Sequence, residues 1–156
     1  MMTMRTASEV LEKSERGVRD LLNNLGFRAP GQGVKREITL REYCTAFMAQ
    51  QLVRSGLNIE AAVRISIYAA DEFYLVSLYE RQTWLIALAP YEQPDNWRVN
   101  TFYSDEAAAD IVKNSKGHHL IVVDVRDSLR KALEAVQTAQ LKADIALHDA
   151  KAEGHA

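Results

Sequence analysis

The sequence contains little cysteine and no long apolar run. Its single cysteine, Cys44, has no second thiol in the chain with which to form a disulfide, and a lone thiol in an amphipathic helix is usually a small core residue. No apolar stretch approaches the roughly 18 residues that a membrane span needs, and charge appears too early at the N-terminus for a signal peptide. We therefore expect a cytoplasmic protein without a membrane partner.

Motifs of several enzyme and metal-binding classes are also missing. The glycine-rich stretch Gly26–Tyr43 has no GxxxxGK[ST] P-loop, and its Gly-x-Gly is followed by Val-Lys-Arg rather than by the rest of a dinucleotide fingerprint. There is no GxSxG, and the four histidines do not have the spacing of HExxH or Cys/His metal sites. Asp124, at the end of a predicted strand, more often caps the next helix than acts in catalysis. The sequence predicts no enzyme, no metal and no cofactor.

Charge is unevenly distributed along a chain of ordinary globular composition. The 156 residues are 47% hydrophobic and 26% charged, which argues against disorder and against a disulfide scaffold. Residues 1–64 contain ten Lys/Arg and seven Asp/Glu, whereas residues 65–156 contain nine and fourteen. Basic character confined to one end indicates a nucleic-acid contact, although plain solvation of surface charge produces the same pattern.

Apolar spacing and capping residues predict a helical first half. The predicted helices are Ala7–Lys13, Glu15–Leu25, Leu40–Ser55 and one from Ile59 to about Tyr79. The predicted N-caps in the whole chain are Ser14, Thr39, Asn58 and Ser104. Thr39 is followed by Glu42 at the capping-box spacing, and Gly26 stands where a C-terminal glycine ends the second helix.

The second half predicts a small β-β-α-β-α unit. Its strands are Thr83–Pro90, Trp97–Tyr103 and His119–Val125, and its helices run from Asp105 to about Asn114 and from near Asp127 to about Lys151. The continuous apolar run of the third strand predicts burial on both faces. The last helix has a weak heptad pattern, which suits either a helix that covers the sheet or one that pairs in a dimer. The fold class is therefore α+β, with domains at residues 1–79 and 80–156.

Residues 6–57 predict a helix-turn-helix followed by a wing. The second helix carries groups that match base edges in the major groove, namely Arg16, Arg19 and Asn23. The glycine-containing loop after it carries groups that would neutralise backbone phosphates, namely Arg28, Lys35 and Arg36. The glycines let this loop turn tightly without a bulky side chain against the duplex.

The same residues resemble the winged-helix DNA-binding domain of MerR-like regulators. The matching pieces are Ser14–Arg19 for the recognition helix, Arg28 and Lys35-Arg36 for the wing, Ile38-Thr39 for the strand and cap, and Leu52–Leu57 after them. The resemblance implies a homodimeric, sequence-specific transcriptional regulator. Double-stranded DNA would be bound by Ser14, Arg16, Arg19, Asn23, Arg28, Lys35 and Arg36.

Two departures from the family pattern leave alternatives open. The turn before Ser14 is shorter than in the family, which indicates either a first helix displaced along the chain or a degenerate motif. Beyond Tyr79 a small α/β unit replaces the metal-binding or drug-binding element of MerR-like sensors, so inducer binding does not carry over from the family, and the effector ligand is unknown. The alternative function is a non-catalytic protein-interaction adaptor with a degenerate winged helix.

Overall fold

The computed structural model of the chain describes residues 1–31, 35–73, 76 and 80–153. Within these residues the protein is a mixed α+β structure of six helices and two small antiparallel sheets, which confirms the predicted fold class at that level. The helices are α1 (Met4–Leu11), α2 (Glu15–Asn24), α3 (Leu40–Arg54), α4 (Ile59–Ala69), α5 (Asp105–Lys113) and α6 (Val125–Glu153). The strands are β1 (Met2–Thr3), β2 (Glu37–Ile38), β3 (Trp84–Pro90), β4 (Arg98–Phe102) and β5 (His118–Asp124). No helix in this part of the chain is long and apolar enough to cross a membrane.

Four helices begin at the polar residues that the sequence predicts as caps. The side-chain oxygens of Ser14, Thr39, Asn58 and Ser104 each accept a hydrogen bond from the backbone N–H three residues further along. Glu42 completes the capping box, since its Oε2 accepts from the backbone N of Thr39 at 2.8 Å. Each cap satisfies a backbone donor that has no partner within the helix, and so determines where that helix begins.

The first helix lies further toward the N-terminus than predicted. It runs from Met4 to Leu11 rather than over residues 7–13, because Thr3 caps its start through a hydrogen bond from the backbone N of Thr6. Glu12 ends it in the left-handed conformation, with φ of 50°. Residues 12–14 therefore form a three-residue turn between α1 and α2.

The fourth helix ends earlier than predicted, at Ala69 rather than near Tyr79. Arg41 of α3 reaches its end: Nε donates to the backbone O of Ala70 at 3.2 Å, and Nη2 donates to Oδ1 of Asp71 at 2.5 Å. An arginine that binds the last carbonyls compensates for their missing intrahelical partners. Residues 74, 75 and 77–79 of the predicted extension lie outside the described residues.

The three-stranded sheet has the order β4-β3-β5, and all of its pairs are antiparallel. The central strand is β3, in which Leu85, Ile86, Ala87 and Ala89 are buried. The prediction that the third strand of this unit is buried on both faces is wrong. It is the edge strand β5, whose Val122 is 43% exposed. An apolar, β-branched run indicates a strand, but its position in the sheet depends on which strands pair.

One hydrophobic core joins the helices to this sheet. The cluster of buried apolar side chains extends from Met4 through α2, α3 and α4 to Leu85 in β3 and Ala132 in α6. Tyr43 of α3 lies inside it with no exposed surface, and its hydroxyl donates to the backbone O of Ala132 at 2.9 Å. Burial raises the pKa of Tyr43 above its usual range. The predicted boundary between residues 79 and 80 lies before the three-stranded sheet, and residues on both sides of it contribute to this core.

The last helix packs on the N-terminal helices and then extends beyond them. Its first turns bury Leu129 and Ala132 against the core, where α6 contacts α1 and α3. From residue 137 the described side chains are mostly exposed, and the large apolar ones are Leu141, Ile145 and Leu147. The first part of α6 thus covers the helices more than the sheet.

We expect Tyr43→Phe to lower the free energy of unfolding by about 1 kcal/mol, because it removes one buried hydrogen bond while the ring keeps its packing. Urea unfolding monitored by circular dichroism measures this change. The matched control is Tyr103→Phe, which removes the bond from the 44% exposed Tyr103 to Glu72 and should change stability less. A larger loss in the control than in Tyr43→Phe would contradict the importance of the buried bond.

Candidate nucleic-acid interface

The second helix presents a polar face to solvent. Its apolar residues Val18, Leu21 and Leu22 are buried in the core, as their helical spacing predicts. The predicted base-contacting residues on the opposite side, Arg16, Arg19 and Asn23, are all exposed. Arginine and asparagine side chains on such a face have the donors and acceptors that read base edges in the major groove.

Ser14 has a structural role at the start of this helix. Its Oγ accepts a hydrogen bond from the backbone N of Gly17 at 3.1 Å, which is the capping contact. The turn before it is closed by a hydrogen bond from the backbone N of Lys13 to the backbone O of Ser8 at 3.1 Å and by a bond from Ser8 Oγ to the backbone O of Lys13. The first helix is displaced along the chain, since α1 starts at Met4, and residues 12–14 separate it from α2.

A two-stranded sheet holds the base of the predicted wing against the start of α1. β1 pairs with β2 in antiparallel register, with Met2 opposite Ile38 and Thr3 opposite Glu37. Two-residue strands such as these have no detectable sequence pattern, so β1 is not predicted from the sequence. The tip of the loop, residues 32–34, lies outside the described residues, and Arg28 and Lys35 on either side of it are exposed.

Arg36 differs from the other predicted phosphate-binding residues because its side chain is buried. Only 6% of the side chain is exposed. Its Nη2 donates to the backbone O of Phe27 at 2.8 Å and to Oε1 of Glu42 at 3.3 Å. Arg36 therefore joins the end of the α2 region to the start of α3. Its Nη1 has no hydrogen-bond partner among the residues that the structure describes.

A cleft of about 670 Å³ lies between α1, α2 and the predicted wing. Its lining residues are Thr3, Met4, Arg5, Glu15, Arg19, Ala29, Pro30, Gly31, Lys35 and Arg36. The structure thus brings Arg19, Lys35 and Arg36 together, whereas Arg16, Asn23 and Arg28 do not line the cleft. Among the described lining residues, four side chains are basic and one is acidic, so this concavity is positively charged and favours an anionic ligand.

Two charged residues of this cleft, Arg5 and Glu15, are not among the site residues predicted from the sequence. Arg5 pairs with Glu9 at 3.3 Å, but 86% of its side chain is exposed, so this pair contributes little and leaves the guanidinium accessible. In the sequence, Arg5 is recognisable only as a basic residue two positions after the capping residue Thr3. Arg5 becomes a candidate site residue only because the pairing of β1 with β2 brings this end of α1 beside the predicted wing.

The residues weighed for other chemistry have structural roles. Oδ1 of Asp124 accepts from the backbone N of Asp127 at 3.0 Å, so Asp124 caps α6, which begins at Val125. Cys44 is buried, and this burial raises the pKa of its thiol to about 12, which disfavours the nucleophilic thiolate. The described part of the chain contains no group of three or more His, Cys, Asp or Glu residues that could hold a metal ion.

We expect Arg36→Met to lower the free energy of unfolding by about 2–3 kcal/mol, because it removes two partly buried hydrogen bonds donated by a charged group and leaves their acceptors without this donor. Urea unfolding measures the loss. The neighbouring Lys35→Met removes an exposed charge with no buried contact and should change stability by less than about 0.5 kcal/mol. Equal losses in the two variants would show that Arg36 is not an anchor.

Comparison with known proteins adds no family to these observations. No family model matches the chain, and a search of curated proteins finds no match to its sequence. The MerR-like resemblance of residues 6–57 therefore rests on the sequence motifs alone, and a function has to be argued from the geometry of α2, the predicted wing and the cleft between them.

Proposed function

We propose that this protein is a sequence-specific regulator that binds double-stranded DNA through an N-terminal winged helix of the MerR-like kind and acts as a homodimer. The observation that carries the proposal is the exposed polar face of α2 beside a cleft lined by four basic side chains. A helix with this face can lie in the major groove while neighbouring cations contact the backbone. Catalysis, a cofactor and a metal have no part in this function.

The local geometry supports a helix-turn-helix. The three-residue turn between α1 and α2 has the length found in this motif. The apolar side of α2 is packed in the core, so the polar side is held in one orientation. The pairing of β1 with β2 holds the C-terminal side of the following loop against the start of α1.

The predicted DNA-binding residues take different roles within the proposal. Arg16, Arg19 and Asn23 would read base edges. Arg28 and Lys35 would contact phosphates beside the groove, since both are exposed in the loop. Ser14 and Arg36 would act chiefly by holding the recognition helix and the wing in position, through the contacts to Gly17, Phe27 and Glu42.

The homodimer part of the proposal depends on α6. Paired recognition helices must be about 34 Å apart to meet successive turns of the major groove, which requires a rigid connection between two copies. The far end of α6 exposes Leu141 (61%), Ile145 (52%) and Leu147 (57%), and exposed large apolar side chains on one helix are typical of an interface. The first part of α6 is anchored on α1 and α3, so pairing at its far end would relate the two DNA-binding parts.

The second candidate function is a protein-interaction adaptor, which the same apolar side chains of α6 favour. In that case the basic cleft would be solvated surface, and α6 would bind a different protein. The two functions differ in their response to salt, because only contacts to DNA phosphates release condensed counterions.

We expect the full chain to enrich specific sites when it is used to pull down genomic DNA fragments. Binding to an enriched duplex, measured by fluorescence anisotropy at several salt concentrations, should weaken steeply as salt rises.

The double variant Arg28→Ala with Lys35→Ala should reduce the slope of the logarithm of the binding constant against the logarithm of the salt concentration by about two, one for each lost phosphate contact. Arg16→Ala should cost about 1–3 kcal/mol of binding and relax the preference at one base position.

The matched control for these variants is Arg64→Ala with Arg98→Ala, which removes two exposed cations away from α2 and the wing. It should leave both the affinity and the salt slope unchanged. A protein that enriches no site, or whose binding is insensitive to salt and to the wing variants, is not a DNA-binding regulator of this kind.

We expect light scattering to give a solution mass of twice the 17.6 kDa chain mass. Leu141→Lys with Ile145→Lys should produce monomers, because it places charges one helical turn apart in the apolar contact. Ile67→Lys serves as the control, since it alters a residue of α4 that is also exposed, at 45%, and should leave the dimer intact. A wild-type monomer would exclude the dimer part of the proposal.

A further inference from the structure

We propose that the open edge of β5 binds the β5 strand of a second copy of this chain in antiparallel register, with Ile121 of both copies on the two-fold axis. This contact joins the two three-stranded sheets into one continuous sheet. The inference goes beyond the proposed function, because it rests neither on DNA binding nor on the pairing of α6. In a protein that is already a homodimer through α6, the edge of β5 would connect one dimer to the next, as on neighbouring DNA sites.

The first observation is the direction of the backbone groups along β5. Within the described residues β5 pairs with β3 alone, so its other edge has no strand beside it. The backbone N of Val125 donates to the backbone O of Thr83 at 3.0 Å, so the odd-numbered residues of β5 direct their backbone groups toward β3. The N–H and C=O groups of Leu120 and Val122 therefore point to the open edge, where another strand can bind them.

The second observation is that β5 lacks the features that usually protect the edge of a sheet. The residues from Leu120 to Val123 include neither proline nor a charged side chain, whereas the opposite edge strand, β4, contains Arg98 and Asn100. β5 also has seven residues and β4 only five. Charge, proline and short length are the common means by which proteins prevent pairing at an edge. The addition of a strand is therefore favoured at β5.

The third observation is an apolar surface on the outer face of β5. Ile121 and Val123 pack against the core, so Leu120 and Val122 lie on the other face of the sheet. Ile86 of β3 is the register partner of Val122, yet Ile86 is 1% exposed and Val122 is 43% exposed. Helix α5 contacts β3 and β4. The apolar cover of this face thus stops short of Val122, which the side chains of a second strand would cover.

The residue pattern of β5 is complementary to itself, which identifies a second copy as the partner. In antiparallel pairing about Ile121, Leu120 lies opposite Val122 of the second copy, and these two residues exchange backbone hydrogen bonds. His118 lies opposite Asp124 of the second copy, so an imidazole meets a carboxylate on the same face of the sheet. The two-fold axis repeats both pairs, as a contact between identical surfaces requires.

The polar atoms needed for the pair of His118 with Asp124 are accessible to it. Within the described residues, His118 uses Nδ1 for its contact to the backbone O of Lys116, and Asp124 uses Oδ1 to cap α6. Nε2 of His118 and Oδ2 of Asp124 therefore remain for the contact between copies. Opposite charges directly across an antiparallel pair stabilise it, whereas like charges destabilise it.

Cations beyond both ends of β5 limit the contact to one strand from each copy. In the same register Lys116 would lie opposite Arg126 of the second copy, and these like charges oppose any longer pairing. We expect such a contact to bury less than the roughly 1,200 Å² of a standard interface, with a dissociation constant on the order of 100 µM. At low protein concentration it would leave the mass of the proposed homodimer unchanged.

The first test uses the full-length chain with Leu141→Lys and Ile145→Lys, so that the proposed α6 contact does not contribute. Sedimentation equilibrium from about 10 µM to about 1 mM should show a monomer–dimer equilibrium. Val122→Lys changes an exposed side chain at the open edge and should weaken this association about tenfold or more. The matched control is Val112→Lys, which changes a 39% exposed valine of α5 and should alter the association by less than about twofold.

The second test traps the register with a disulfide in the same α6 variant. Ile121→Cys places two thiols across the two-fold axis, where the Cα atoms are about 4.5 Å apart and a disulfide can form. Val123→Cys is the control, because its two copies would be roughly 13 Å apart. Cys44 is buried and common to both variants. Mild oxidation should link the Ile121→Cys chains into dimers that reducing agents separate, and should leave the Val123→Cys chains unlinked.

The third test changes the charge of His118. His118→Glu sets carboxylates opposite each other and should weaken the association about tenfold, whereas His118→Lys keeps an opposite-charge pair and should alter it by less than about twofold. Equal effects of the two variants contradict the register. The proposal is also overturned by equal effects of Val122→Lys and Val112→Lys, or by disulfides that form equally at residues 121 and 123.

The outcomes separate this proposal from the proposed function. Absence of association up to about 1 mM in the α6 variant overturns the pairing of β5, and a β5 edge that binds only a different protein gives this result. If the unaltered chain is then still a dimer that binds DNA, the function stands and the edge contact does not. Association of the α6 variant that Val122→Lys abolishes supports the edge contact, even where the unaltered chain binds no DNA and the proposed function fails.

Discussion

The guanidinium of Arg36 connects the three elements on which the candidate interface depends. Its hydrogen bonds to the carbonyl of Phe27 and the carboxylate of Glu42 join the chain after α2 to the first turn of α3. Glu42 is also the second residue of the capping box of α3, so one carboxylate fixes both a helix start and the position of Arg36. Because these bonds are partly buried, they are worth more than a fully exposed ion pair, and they hold the base of the predicted wing beside α2.

The single hydrophobic core connects α2 and α3 to the rest of the molecule. Tyr43, in the same helix as Glu42, packs at the centre and donates a hydrogen bond to the backbone of α6. The first part of α6 is therefore positioned by the same helix that supports the predicted wing. Two DNA-binding parts joined through the far end of α6 would have a defined separation, which is the geometric requirement of the proposed dimer.

The features that local chemistry determines could be predicted from the sequence. Ser14, Thr39, Asn58 and Ser104 cap helices as expected, because a cap involves a side chain and a backbone group only three residues away. The three longer strands and the exposed face of α2 also follow from apolar spacing, since burial of one face is encoded residue by residue. Even the displaced start of α1 has a local signal, because Thr3 precedes an apolar pattern that begins at Met4.

The sequence by itself thus determined the mixed α+β composition, the starts of most helices and which residues of α2 face solvent. Tertiary structure alone decided that β5 is an edge strand, that α4 ends where Arg41 of α3 reaches it, and that Arg36 is buried. It also brought Arg5 beside Arg19 and Lys35 in one cleft. These outcomes depend on contacts between residues far apart in the chain, whose partners are set by how the elements pack, and no periodicity or capping pattern within one segment contains that information.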